Sequence, residues 1–217
     1  RGVITGILRI AKESIFSDWN NLIVYTLLDL EFTECFGFTE QELDQILKDF
    51  DLQQDREGIS RWYNGYRFGN TTIYNPWSIL QYVQRHRNGF CPYWVNTSSN
   101  KLIQNLMLNA SVDLHQGIES LMAGGSVDAR LSEDLVMGNL DKSPNSIWSL
   151  LTFSGYLKPI QILDPDKGRR HYRLQIPNLE VRSFFESIWE NWFDNQMGLQ
   201  GLHKILHSLV EERLVEF

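Results

Sequence analysis

The stretch "NSIWSLLTFSGYLKPIQILDPDKGRRHYRLQIPNLEVRSFFESIWENWF", Asn145 to Phe193, decides the fold. Its first part, "NSIWSLLTFSGYL", reads as an apolar helix ended by Gly155, a residue suited to the left-handed turn that closes a helix. "YLKPIQIL" and "HYRLQI" follow as two β-like runs joined by the turn-rich "DPDKGRR". Pro159 cannot donate to a ladder, so the first run belongs at an edge or is irregular. Asn178 then caps a helix whose Val181, Phe184, Phe185, Ile188, Trp189 and Trp192 make a broad apolar face. Just upstream, "LHQGIESLMAG" predicts a helix stopping at Gly124-Gly125, and "SVDARL" a short strand. The order from about residue 114 is helix, strand, helix or loop, helix, strand, wing, strand, helix, which is a winged-helix layout.

Further toward the N-terminus, "FTEQELDQILKDF" carries Thr39 as an N-cap and Glu42 three residues on, the pattern of a capping box. Leu43, Ile46, Leu47 and Phe50 give it an apolar face, while Asp44, Asp49, Asp51, Asp55 and Glu57 read as its solvated face and exit. "RWYNGYRFGNTTIYNPWSILQYV", residues 61 to 83, places seven aromatic side chains in 23 positions. Asn64-Gly65 is a turn signal. Asn75 as cap with Pro76 at the first helical position starts a helix continued by Ile79, Leu80 and Val83. The aromatics suit a core, and Trp62, Tyr66, Tyr74 and Trp77 equally suit a flat ring such as a purine. "WVNTSSNKLIQNLML" predicts another helix, capped by Thr97 or Ser98. At the start, "GVIT" fits the end of a buried strand and "SDWNNL" a loop.

The 217 residues, 42% of them hydrophobic, allow one large or two small domains. A net charge of −7 argues against wholesale attraction to nucleic acid or anionic lipid. Only Cys35 and Cys91 occur, so a disulfide framework is not expected. No apolar run reaches the roughly 20 residues that span a bilayer, and no secretion signal opens the chain, so a cytoplasmic protein without a membrane partner is expected. There is no phosphate-binding G-x-x-x-x-G-K-[ST] loop and no G-x-S-x-G. His203 and His207 share a helix face without the glutamate of a metalloprotease, and no metal site is expected. Lys167, Arg169, Arg170, His171 and Arg173 form a basic cluster at the wing. As a contact for nucleic acid it lacks support, because the preceding "SIWSLLTF" offers almost no side chains for base edges. A solvated turn or a protein contact is the other reading.

Six strings, "TGILRIAKESIFSDWNNL", "WYNGYRFG", "IYNPWSIL", "YWVNTSSN", "LLTFSGYL" and "IPNLEV", occur in this order. Together they resemble the AAA-ATPase-like family of P-loop proteins, often fused to a C-terminal PD-(D/E)XK nuclease-like domain. The resemblance is to the C-terminal half of that family and implies Walker A and B segments upstream. It implies a chain that is mostly α with some β: the end of an α/β core over residues 1–30, an all-α lid over 31–112, a winged-helix-like domain over 113–195 and a helical linker over 196–217. It further implies ATP with Mg in the full-length protein, a nuclease-like domain in cis, and no catalysis by this portion alone. Thr5 and Arg9 would sense the phosphates, and Tyr74, Asn75 and Pro76 would lie at the adenine side through a loose match to a Gly-x-Pro turn. The alternative is a non-catalytic module contacting protein or nucleic acid through its winged helix.

Overall fold

The computed structural model describes residues 5–6, 23–95, 101–108, 111–133, 143–163 and 171–197, without the side chains of 191–197. The protein is mostly α with some β. The helices are α1 (Glu40–Asp49), α2 (Arg56–Tyr63), α3 (Pro76–Arg85), α4 (Lys101–Leu108), α5 (Val112–Met122), α6 (Pro144–Phe153) and α7 (Leu179–Met197). The strands are β1 (Tyr66–Phe68), β2 (Thr71–Ile73), β3 (Val127–Arg130), β4 (Lys158–Ile162) and β5 (His171–Gln175).

Local chemistry fixes the helix starts. The Thr39 hydroxyl accepts from the Glu42 amide at 3.3 Å while the Glu42 carboxylate accepts from the Thr39 amide at 2.9 Å, closing the capping box. Leu43 and Leu47 are buried, but Phe50 is the C-cap, beyond the helical face, and is 60% exposed. At α3 the Asn75 carboxamide accepts from the amides of Trp77 and Ser78, and Pro76 follows at the first helical position. The buried face of α3 is Ser78, Ile79 and Tyr82, not the expected run through Leu80, which is 52% exposed.

An all-α segment over 31–112 is not what forms. β1 and β2 make an antiparallel hairpin, Tyr66 opposite Ile73, because Gly69 turns with φ +52 between two β-prone triplets. Leu43, Leu47, Leu52, Ile59, Tyr63, Tyr74, Ile79 and Tyr82 form one apolar cluster around α1, α2 and α3. A larger cluster joins Val95, Ile103 and Met107 to α5, α6, the second sheet and α7.

In that sheet β5 lies between β3 and β4, both pairings antiparallel. The described order is α5, β3, α6, β4, β5, α7; the helix or loop expected between β3 and α6, and the wing, fall on residues 134–142 and 164–170, outside the described residues. β4 is an edge strand, as Pro159 requires, and its register shifts between Pro159 and Gln161. α6 is buried from Ile147 through Thr152 on every face. The connector at 164–170, the "GVIT" residues before Thr5, the Thr97 or Ser98 cap, and the residues after 197 lie outside the described residues.

Candidate functional site

The two apolar clusters meet at a buried polar junction built around Glu180, in the first turn of α7. Its side chain has no exposed surface. One carboxylate oxygen accepts from the Ser78 hydroxyl of α3 at 2.7 Å; the other accepts from the Trp94 amide at 2.6 Å. Three segments distant in sequence are thereby held by one acidic group. Burial pushes the Glu180 carboxyl up to about 7, and the hydrogen bonds from Ser78 and from the amides of Trp94, Val95 and Tyr93 oppose that rise.

Asn178 completes the junction. Its carboxamide oxygen accepts from the Val181 amide, capping α7, and its nitrogen donates to the Asn64 carbonyl at 2.8 Å. Gly65 follows with φ +96 and packs directly against the Pro177 carbonyl. Tyr66, next in line, has a buried hydroxyl that meets no partner at hydrogen-bonding geometry among the described residues, and burial raises its pKa. Lys158 donates to the Pro177 carbonyl at 3.5 Å, and burial, with the Arg67 charge, lowers its pKa. The Trp94 ring sits between Tyr66 and Tyr156, with centroid distances of 6.0 and 5.2 Å.

A second constellation ties α1 to α2. Arg56 donates through Nε to Asp44 at 2.7 Å and through Nη1 to the Tyr74 hydroxyl at 2.9 Å, and its Nη2 pairs with Glu40. Tyr74 in turn donates to Glu40. Asp44 is therefore an ion-pair partner as well as part of a wet face.

Of the residues expected at a nucleotide, Thr5, Tyr74, Asn75 and Pro76 are described. Thr5 is exposed and belongs to no helix or strand; Arg9 lies outside the described residues. Tyr74 is fully buried, so its ring is part of the core with its hydroxyl engaged by Arg56 and Glu40. Asn75 is occupied as the α3 cap, and Pro76 beside it is half-buried. At the wing, Arg173 makes a bidentate pair with Asp128 across β3 and β5, at 2.8 and 3.0 Å. Lys167, Arg169 and Arg170 lie outside the described residues, as do His203 and His207.

Sequence reading missed Glu180, Ser78 and Arg56. The signal for Glu180 was its position: it precedes Phe184 and Ile188 by one and two helical steps of four, on the apolar face of its helix. A carboxylate there must be paired.

These features define a mostly α protein in which a hairpin-bearing helical part is pinned to a part built on a three-stranded antiparallel sheet. No family model matches the chain, and no solved structure matches it. It is 30% identical over 181 residues to an "Uncharacterized protein in vnfD 5'region" of Azotobacter chroococcum mcd 1. The match takes in 83% of this chain but 32% of that protein, so the chain spans about a third of the relative's length. No helix among the described residues is long and apolar enough to cross a membrane.

Proposed function

We propose that this chain is the lid and winged-helix part of a longer ATP-dependent switch of the AAA-ATPase-like kind, in which lid and winged helix move as one body. The observation that carries the reading is where the resemblance strings fall. Asn64, Gly65 and Tyr66 come from "WYNGYRFG", Ser78 from "IYNPWSIL", Trp94 from "YWVNTSSN", Tyr156 from "LLTFSGYL", and Asn178 and Glu180 from "IPNLEV". Five of the six strings thus supply the single junction around Glu180. A joint of that kind transmits a change of angle without absorbing it.

In this reading ATP with Mg binds on upstream segments, and Thr5 and Arg9 face its phosphates. Tyr74 holds the Asn75–Pro76 start of α3 in place from within the core and does not stack on the base. A nuclease-like domain in cis would be the gated effector. The test is Mg-ATP binding by the chain extended upstream through its Walker segments. Arg9→Ala should weaken that binding at least about tenfold, the loss of roughly one charge-assisted hydrogen bond. Unchanged affinity in a folded Arg9→Ala variant removes Arg9 from the site.

A second reading, a module that contacts another protein, has its own support. Ile23, Val24, Tyr25, Leu30, Phe32 and Phe36 are all exposed, and between Glu13 and Leu47 the sequence has no lysine, arginine or histidine. A nucleic-acid version is less well supported, since α6 is buried all round and Arg173 is spent on Asp128. Duplex affinity that falls steeply with salt and is lost in Arg169→Ala with Arg170→Ala would favour it.

A further inference from the structure

We propose that the groove between α2, the end of α5, the end of β5 and the start of α7 binds a small ligand through a phosphoryl group. It is open to solvent and holds about 280 Å³, and its walls include Arg61, Arg182, Gln175, Asn178, Gly124 and Gly125. Among the described residues two guanidinium groups line it, one of them paired with the Glu186 carboxylate, in a chain whose net charge is −7. They come from different elements, Arg61 from α2 and Arg182 from α7, so the tertiary fold builds the pair.

The donor groups are available. Arg61 forms no ion pair or hydrogen bond among the described residues. Arg182 donates through Nε to Glu186 at 3.0 Å, and its terminal nitrogens make no hydrogen bond among the described residues. The Gln175 carboxamide also has no partner among the described residues. The other walls are already satisfied: Asn178 is used at both ends, and the amides of Gly124 and Gly125 donate to Leu121 and Ser120. Recognition therefore falls to two planar forks and one amide, a set that suits a group carrying two or more negative charges on tetrahedral oxygens. The volume lies at the lower edge of the roughly 300–1,000 Å³ typical of ligand pockets, room for a diphosphate and not for a base and sugar besides. The proposal does not rest on the ATP reading.

The probe is inorganic pyrophosphate, titrated into this chain at low salt by calorimetry and by amide chemical-shift mapping. One saturable site is expected, with shifts at Arg61, Gly124, Gly125, Gln175 and Arg182. Arg61→Ala with Arg182→Ala should weaken it at least about tenfold, and Arg61→Lys with Arg182→Lys should recover only part, because an ammonium cannot present a fork. Acetate should not compete. Nucleotide binding by the upstream-extended chain should survive the double alanine change, which separates failure of this site from failure of the switch. No saturable binding, shifts that map elsewhere, or a folded double variant that binds equally well overturns the proposal. So does duplex DNA binding lost in the same variants while pyrophosphate fails to compete.

Discussion

Glu180 has no exposed surface, and a carboxylate taken out of water costs several kcal/mol unless its oxygens are satisfied. Here the Ser78 hydroxyl and the Trp94 amide satisfy both oxygens, yet burial still lifts the folded-state pKa from 4.5 to about 7. The folded chain thus holds this proton more tightly than the unfolded chain. That contribution to stability is fully present below pH 4.5 and is lost as pH rises through 7. Urea midpoints should fall across that window by up to about 3 kcal/mol in free energy, and Glu180→Gln should remove the slope. Asp128 and Glu42 have lowered pKa values, through hydrogen bonds from Arg173 and from Thr39, so their contributions fade only on acidification, outside this window. Glu180→Ala should cost about 2–4 kcal/mol below pH 4.5, since it strands a buried hydroxyl and amide, and less as pH rises through 7. Glu180 was legible in principle from its place on an apolar helix face. Tyr74 was not: nothing in "IYNPW" says whether its ring faces a ligand or a core, and burial decided for the core.

Among the elements, capped helices were readable from their starts, while α5 and α6 were readable from apolar runs closed by glycine. α1, α3 and α7 begin at Thr39, Asn75 and Asn178, and each cap makes the hydrogen bond its sequence foretold. Asn75→Ala should therefore lower stability by about 1 kcal/mol in thermal unfolding, with Pro76 preserving the helix start. α2 and the β1–β2 hairpin escaped because they are too short to establish a period; only Gly69-Asn70 marked the turn. The α3 face was misread at Ser78 because a hydroxyl scores as polar in any periodicity, although its partner Glu180 lies 102 residues away. Arg56, one-third exposed, should matter modestly. Arg56→Ala should cost about 1 kcal/mol in urea unfolding, less at high salt, by releasing Asp44, Glu40 and the Tyr74 hydroxyl.

At the scale of the molecule, the two apolar clusters share one polar joint, so they should unfold as a unit. Near-ultraviolet and far-ultraviolet dichroism should report the same midpoint. Gly65 tests the joint directly: at φ +96, against the Pro177 carbonyl, a Cβ has neither the backbone conformation nor the space. Gly65→Ala should lower the midpoint strongly, by more than about 2 kcal/mol, and separate the two probes if the halves come apart. The order α5, β3, α6, β4, β5, α7 was legible because caps, Pro159 and Gly155 punctuate it; the joint was not, because its members are scattered from Asn64 to Glu180. The most direct test of the switch reading is calorimetric binding of Mg-ATP and ADP to this chain and to the same chain extended upstream. The account predicts that the extended chain binds at least about tenfold more tightly, with the Arg61→Ala and Arg182→Ala changes without effect on the extended chain's affinity. A folded extended chain that binds no better than this one would contradict it.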